Sequence, residues 1–209
     1  MHQNAALLAS LIGSRICHDL ISPIGAISNG LELAELTATA PIGPEMSLIQ
    51  QSCDYAAARI RFFRIAFGTA ADATFIPVVE ARKTLADHYV GTRISAIWQI
   101  EEDLTRDATQ LAYLSALCLE TALPHGGRLA LARQDKVLVA DAEATSLRSD
   151  LPIWTVLTDR GCPDLPEISP AHVQFALLAR ICRDRSFFPD LEVGASRMQM
   201  RLPLSAPPS

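Results

Sequence analysis

The chain has 209 residues, of which 49% are hydrophobic, so it is long enough for one large domain or two small ones with buried cores. Its formal net charge of −5 argues against a nucleic-acid-binding protein, because such proteins normally present a basic face. No apolar run approaches the roughly 20 residues that span a bilayer, and the amino terminus lacks the basic start of a signal peptide. We therefore expect a cytoplasmic protein that does not bind a membrane.

The cysteines and three of the histidines show no spacing typical of a metal site. The five cysteines are odd in number and widely scattered, and they include no Cys-x-x-Cys pair. We interpret them as reduced thiols in the core of a cytoplasmic protein. His88, His125 and His172 are equally scattered, so we expect this chain to bind no metal ion.

The first predicted element is a long amphipathic helix over about residues 4–36. Apolar residues recur every three or four positions and predict one buried stripe, formed by Ile12, Ile16, Leu20, Ile24, Ile27, Leu31 and Ala34. His18 lies about 160° from this stripe around the helix axis, so we expect it to face outward, accessible to a macromolecular partner. Pro23 removes one backbone donor and predicts a bend just after the histidine.

A second helix is predicted over about residues 44–67, after a turn rich in proline. Its apolar residues alternate steps of three and four, as in a coiled-coil seam: Met46, Ile49, Cys53, Ala56, Ile60, Phe63 and Phe67. Two long helices joined by a short loop form an antiparallel hairpin, which cannot bury both stripes alone. A four-helix bundle made from two copies would bury them. We therefore predict a homodimer through residues 1–68.

The remainder mixes helices and strands, which predicts a two-layer α/β sandwich over about residues 75–204. The predicted elements are a helix over 78–90, a strand over 93–100, a helix over 107–123, a hairpin of 128–133 and 136–140, a helix over 170–184, and a closing hairpin of 191–196 and 197–202. We interpret residues 142–169 as a loop with one short strand around Trp154. Trp98 and Trp154 are expected in the core. The domains thus cover 1–70 and 75–205.

Residues 18–27, His-Asp-Leu-Ile-Ser-Pro-Ile-Gly-Ala-Ile, resemble the phosphoacceptor motif of two-component histidine kinases. Every constrained position of that motif matches. Residues 28–33 and 120–127 resemble more narrowly the ChpT-type histidine phosphotransferases of alphaproteobacteria. The resemblance implies a dimerisation and histidine-phosphotransfer hairpin, followed by a degenerate version of the histidine-kinase ATP-binding (Bergerat) domain.

The second domain departs from an active kinase at its nucleotide motifs. Leu117 and Thr121 stand where the resemblance implies asparagines that hold Mg²⁺-ATP, and the sequence contains no Gly-x-Gly. Residues 141–143 and 169–171 occupy the places of the two glycine motifs, whose backbone would approach the phosphates closely. We therefore expect no ATP binding, no ATP-dependent autophosphorylation and no bound cofactor.

The resemblance makes His18 the phosphoacceptor of a phosphorelay. A neutral imidazole offers a nucleophilic nitrogen, which accepts a phosphoryl group from a receiver-domain aspartate and passes it to another. Asp19 is expected to orient or polarise the imidazole by bonding its other nitrogen. Mg²⁺ would come from the acidic pocket of the partner receiver. The expected partner-binding residues are Arg15, Ser22, Gly25, Asn29 and Arg64.

The resemblance implies a CckA-like hybrid kinase as the upstream receiver partner, and CtrA-like and CpdR-like response regulators downstream. Two alternatives remain at this point. One is an ATP-dependent sensor histidine kinase, which the missing glycine loops count against. The other is a non-catalytic regulator that binds a receiver or a kinase.

Overall fold

The first part of the chain is a helical hairpin. The computed structural model describes residues 2–36, 44–69, 74–159 and 168–204. Helix α1 spans His2–Leu36 and α2 spans Pro44–Ala66, and the two helices pack against each other. Both predicted helices are confirmed. The predicted turn between them lies outside the described residues, and α1 continues through Pro23, where the bend stays a prediction.

An α/β domain follows the hairpin. In chain order its elements are β1 (Phe75–Ile76), α3 (Val78–Tyr89), β2 (Ile94–Trp98), β3 (Leu104–Thr105), α4 (Arg106–Glu120), β4 (Gly127–Gln134), β5 (Val137–Glu143), a 3-10 turn (Pro152–Trp154), α5 (Thr155–Thr158), a second 3-10 turn (Pro170–His172), α6 (Val173–Asp184), β6 (Asp190–Val193) and β7 (Arg197–Pro203). A five-stranded sheet has the order β2-β4-β5-β7-β6, in which only the β2–β4 pair is parallel, and β1 pairs separately with β3.

The sheet has one covered and one open face, as the predicted two-layer sandwich requires. Leu129, Leu138 and Met200 alternate toward the helices and are fully buried, with α4 packed across β4 and β5. The opposite face carries ion pairs, such as that between Arg197 and Asp141 at 2.7 Å. The fold class predicted for the chain, a helical hairpin followed by an α/β sandwich, is confirmed. The domain bounds stay a prediction, since residues 70–73 lie outside the described part.

The segment around Trp154 corrects one prediction, because it is helical rather than a strand. Pro152 opens the first 3-10 turn, where a missing backbone donor costs nothing. The Thr155 hydroxyl donates to the Pro152 carbonyl at 2.7 Å and closes that turn. Trp154 then packs edge-on against Phe175, with ring centres 4.9 Å apart. Trp154 and Trp98 are both buried, as expected.

The end of α2 joins the hairpin to the α/β domain through one continuous core. Phe62 is fully buried and stacks between His88 of α3 and Tyr113 of α4, at centroid distances of 3.9 and 4.4 Å. The Tyr113 hydroxyl donates to the Ala81 carbonyl at 2.8 Å. A second cluster packs Leu8 of α1 against α6. The two parts of the chain are therefore held together at both helices of the hairpin.

The apolar stripes of the hairpin are only partly buried within one chain, as expected of a hairpin that cannot cover both stripes alone. Their burial by a second copy stays a prediction. Ile24 and Leu31 of α1 are 53% and 50% exposed, and Ile60 of α2 is 52% exposed. Two helices leave their outer surfaces uncovered, so residues on that side have no partner helix in the part of the chain that the structure describes. Met46, on the same apolar seam of α2 as Ile60, is also exposed.

The cysteines are free among the described residues, but not all are core thiols. Cys17 and Cys53 are exposed on the hairpin, which corrects that expectation, and Cys162 lies outside the described residues. Cys118 and Cys182 are buried where α4 packs on α6. Burial raises the pKa of Cys182 to about 12, and that of Cys118 well above its usual value.

The stretch Ala5–Ala34 of α1 is long and apolar enough to cross a membrane by length and composition, with a mean hydropathy of 1.3. No continuous apolar run in this stretch is that long, because Arg15, His18 and Asp19 interrupt it, so the absence of a membrane segment stays a prediction. The stretch also carries the Arg15–Asp19 ion pair and packs on the α/β domain through Leu8 and Ile16. These contacts favour a helix that packs against its own chain.

Candidate active site

Three of the predicted site residues meet on one side of α1. Arg15 and Asp19 are four residues apart, so the helix stacks their side chains on one face. The Arg15 Nε donates to Asp19 Oδ2 at 2.9 Å. Asp19 Oδ1 lies 3.1 Å from the Nδ1 of His18. The carboxylate thus joins a guanidinium and an imidazole.

The three side chains differ sharply in exposure. The His18 side chain is 85% exposed, whereas those of Asp19 and Arg15 are 15% and 16% exposed. The predicted outward orientation of His18 is therefore confirmed. An ionised carboxylate only accepts hydrogen bonds, so a neutral His18 ring must carry its proton on Nδ1 to bond it. The Nε2 lone pair is then the one that faces an arriving partner.

The α/β domain reaches this site through the second 3-10 turn. The Arg15 Nη1 donates to the main-chain carbonyl of Ala171 at 2.7 Å. That turn is closed by the His172 amide, which donates to the Ser169 carbonyl at 2.9 Å. The sequence analysis missed this contact, because the two residues are 156 positions apart and a main-chain acceptor leaves no mark in the sequence.

The other predicted partner-binding residues lie outside this group. Ser22, Gly25 and Asn29 are exposed on α1, and a Cβ added at Gly25 would meet no atom within 4 Å. The surface beyond His18 is therefore open. Arg64 lies in the last turn of α2, where its carbonyl accepts a bond from Arg106 at 2.8 Å. Its exposed side chain forms no hydrogen bond or ion pair with any of the other described site residues.

A polar cluster of His88, Tyr89 and Glu120, which the sequence analysis did not identify, lies in the interior near Arg15 and Asp19. The charges of these two residues act on His88 and Glu120. The Tyr89 hydroxyl donates to Glu120 Oε2 at 3.2 Å, and burial raises the pKa of both groups. Burial, with the charge of Arg59 as a lesser cause, lowers the pKa of His88 to about 3. His88 is therefore neutral at physiological pH.

Leu117 and Thr121, which stand where a histidine kinase has its nucleotide ligands, make contacts within the protein. Leu117 is buried in the core, and its carbonyl accepts a bond from the Gln174 amide at 3.3 Å. The Thr121 hydroxyl also points back to this carbonyl, at 3.5 Å. Within the described ranges, no three His, Cys, Asp or Glu side chains form a group able to hold a metal ion.

The sequence of the α/β domain matches that of a known family. The model of the histidine phosphotransferase C-terminal domain matches residues 78–187, which is more than half of the chain. The chain belongs to the histidine phosphotransferase family. The match runs from α3 to just past α6, so this domain, and not the hairpin that carries His18, defines the membership.

Two relatives extend the comparison with this phosphotransferase family. The protein phosphotransferase ChpT of Brucella abortus (strain 2308) is 37% identical over 126 residues, which are 59% of this chain and 59% of that protein. The aligned region thus spans less than two thirds of the relative. The solved structure of a bacterial phosphotransferase superposes with a TM-score of 0.75 and 29% identity, covering 93% of this chain and 94% of its own.

Proposed function

We propose that this protein is a histidine phosphotransferase of a two-component phosphorelay, which carries phosphoryl groups between receiver-domain aspartates on His18. One observation carries the proposal: the imidazole is 85% exposed while Asp19 holds its Nδ1 at 3.1 Å. An acceptor that must meet another protein needs an open nucleophilic nitrogen and a fixed ring orientation. The family membership of the chain supports the same reaction class.

The proposed phosphoryl transfer to and from His18 needs no proton from solvent. The Nε2 lone pair of His18 attacks the phosphorus of a receiver aspartyl phosphate; the N–P bond forms, and the P–O bond breaks. The receiver aspartate leaves as a carboxylate with the electron pair of that bond. The resulting imidazolium keeps its Nδ1 proton, and Asp19 offsets its charge. In the second step a carboxylate oxygen of another receiver attacks the phosphorus, and the N–P electron pair returns to the ring.

The deciding experiment mixes the protein with a purified receiver that carries a radiolabelled phosphoryl group. We expect acid-labile label on the wild type and none on the His18→Ala variant. His125→Ala removes another exposed histidine and should accept label like the wild type. Passage of phosphoryl groups at the wild-type rate through His18→Ala would contradict the proposal and favour a non-catalytic binding protein.

The same proposal includes the absence of ATP-dependent autophosphorylation. It is supported by the lack of any Gly-x-Gly and by the buried Leu117 at a position where a kinase needs a polar ligand. Incubation with radiolabelled ATP alone should therefore leave the protein unlabelled. Self-labelling at His18 would instead identify an ATP-dependent sensor kinase.

The proposed partners are receiver domains in the cytoplasm: that of a CckA-like hybrid kinase upstream, and those of CtrA-like and CpdR-like response regulators downstream. The sequence resemblance supports these choices. Phosphoryl transfer between an aspartate and a histidine depends on alignment and charge neutralisation, so each receiver would contribute its own Mg²⁺. Ser22, Gly25 and Asn29 would keep the approach along α1 open, and Arg64 would meet acidic groups of the receiver.

We also propose that the protein is a homodimer through a four-helix bundle. The support is the spacing of exposed apolar side chains on the hairpin. Ile24 and Leu31 of α1 are seven residues apart, and so are Met46, Cys53 and Ile60 of α2. A repeat of seven places such residues on one seam, as in helices that pair with other helices. A second copy would cover both seams at once.

A further inference from the structure

We propose that Arg15 is a positioning residue, through which the α/β domain holds Asp19 in place against His18. The inference rests on the proposed phosphotransfer function and assigns Arg15 a different task from the direct partner binding expected above. The guanidinium of Arg15 uses Nε for Asp19 at 2.9 Å and Nη1 for the Ala171 carbonyl at 2.7 Å. Two of its donors are thus bonded within the chain, one to each end of the bridge.

The geometry favours positioning because Arg15 holds the carboxylate oxygen that the imidazole does not use. Asp19 Oδ2 accepts from Arg15 and Oδ1 lies against His18 Nδ1. An exposed carboxylate on a helix would sample several rotamers, most of which point Oδ1 away from the ring. The charge-assisted bond from Arg15 Nε to Oδ2 restricts that freedom, because the guanidinium is itself held by the Ala171 carbonyl. The ordered carboxylate then keeps the Nδ1 proton on His18 and leaves Nε2 as the nucleophile.

The burial of Arg15 supports the same assignment. Its side chain is 16% exposed, against 85% for that of His18. A side chain that grips an arriving receiver or its phosphoryl group needs exposed donors. The bridge of Arg15 instead spans two parts of the same chain, and one of its ends is a main-chain group that cannot change rotamer.

The anchor for this bridge is a rigid part of the α/β domain. Ala171 lies in the second 3-10 turn, directly before α6. Val173 at the start of α6 is fully buried and packs in a cluster with Leu8 of α1. The turn is thus fixed against the same helix that carries His18, about three turns before that residue. The α/β domain would therefore act on the reaction through one hydrogen bond rather than through a nucleotide.

The experiment measures single-turnover transfer from a phosphorylated receiver at varied receiver concentration, using full-length Arg15→Ala and Arg15→Lys. A positioning role predicts that the saturating rate falls between about 10-fold and 100-fold, with the half-saturating concentration unchanged. Lysine keeps the charge but replaces the planar fork by a single ammonium, so Arg15→Lys should also be slow. Arg180→Ala is the matched control, because Arg180 pairs with Asp184 at the same spacing on the exposed surface of α6.

Two further readouts separate positioning from a loss of folding. The ¹⁵N shifts of the neutral His18 ring should report a proton on Nδ1 in the wild type and a mixture of tautomers in Arg15→Ala. In a double-mutant cycle, Arg15→Ala should add little to Asp19→Asn, since both changes break the same chain of bonds. Circular dichroism of each variant verifies that it is folded, and the tautomer shift applies even where transfer is too slow to measure.

The possible failures are distinguishable. If Arg15→Ala transfers at the wild-type rate while His18→Ala takes up no label, Arg15 does not position the site and the proposed function stands. If Arg15→Ala raises only the half-saturating concentration, or Arg15→Lys restores the rate, Arg15 binds the partner and the inference is wrong. If His18→Ala remains fully active, the proposed function itself fails.

Discussion

At the scale of single residues, the candidate site separates an exposed nucleophile from the charges that support it. Asp19 and Arg15 are largely removed from solvent, where ion pairs are screened less than on an open surface. Below them, His88 is stacked on Phe62 and its Nδ1 has no hydrogen-bond partner among the described residues. This buried ring does not take part in the proposed reaction, yet it makes the fold sensitive to acid.

We predict that the free energy of unfolding decreases in acid because of His88. Its pKa falls from 6.5 to about 3 on folding, so between these values the unfolded chain binds a proton that the folded protein rejects. This stability is complete above about pH 6.5 and is lost as the pH falls, by about 1.4 kcal/mol per pH unit. Urea denaturation of the wild type and of His88→Phe at several pH values measures the difference between their slopes.

The comparison of these two proteins isolates the histidine. Burial raises the pKa of Glu120, which favours the folded state at acid pH in both proteins. Arg59 and Asp19, whose charges act on His88, are also present in both. Phenylalanine keeps an aromatic ring on Phe62 but cannot be protonated. Parallel pH curves for the wild type and His88→Phe would contradict the prediction.

At the scale of elements, α2 divides its apolar residues between two tasks. Ile49 and Phe63 are buried within the chain, whereas Met46, Cys53 and Ile60 are exposed on the other half of the same seam. Steps of three and four place alternate members of a seam on its two flanks. One flank therefore completes the core of the chain, and the other is available to a second copy.

We predict that Ile60→Glu weakens dimerisation by about 100-fold or more, because a symmetric interface would bury two unpaired carboxylates. Sedimentation equilibrium over a range of concentrations measures the dissociation constant. Val79→Glu is the control, since Val79 is 72% exposed on α3, away from the hairpin seam. A wild type that stays monomeric, or an Ile60→Glu protein that stays as dimeric as the control, would rule out this interface.

The elements also show how far sequence reasoning extends. Long periodic patterns identified α1 and α2, because many positions report the same helical period. The segment around Trp154 was misassigned since a short apolar run has too few positions to define a period. The outward face of His18 followed from helix geometry alone. The division of the α2 seam into buried and exposed flanks did not, because apolar side chains on both flanks look alike in the sequence.

The candidate site was predictable only where its residues are neighbours along the chain. His18 and Asp19 are adjacent, and Arg15 is one helical turn away, so all three could be recognised in one short stretch of the sequence. The link from Arg15 to Ala171 depends on how α6 docks on α1, and its acceptor is a carbonyl that every residue possesses. The buried pair of Tyr89 and Glu120 likewise joins two helices that no local pattern relates.

At the scale of the whole molecule, the hairpin and the α/β domain share their interior. Phe62 on α2 stacks on Tyr113 in the middle of α4, and α4 in turn covers the sheet. A domain boundary normally falls where few contacts cross. Here the aromatic stack crosses the predicted boundary, so the chain should behave as one cooperative unit.

We predict that Phe62→Ala destabilises the whole molecule by about 3–5 kcal/mol, because it opens a cavity between the two parts. Urea unfolding followed by tryptophan fluorescence reports the α/β domain, and far-ultraviolet circular dichroism also reports the hairpin. The two probes should give one coincident transition in the wild type. Phe75→Ala, at a side chain that is 66% exposed, should change stability by less than about 1 kcal/mol.

Separate transitions for the two probes in the wild type would show that the shared interior does not couple the parts. A Phe62→Ala protein as stable as Phe75→Ala would show that the aromatic stack contributes little. Either result would contradict the single-unit description and favour two domains that unfold independently.

The exposure of the His18 imidazole has a kinetic consequence for a signalling circuit. A nucleophile that no described segment of its own chain covers offers the same access to every receiver that arrives, whether loaded or empty. In the proposed relay such a site sets no preferred direction by itself. Net flux would follow mass action, so the relative pools of phosphorylated and free receivers would decide whether signal moves forward or drains back.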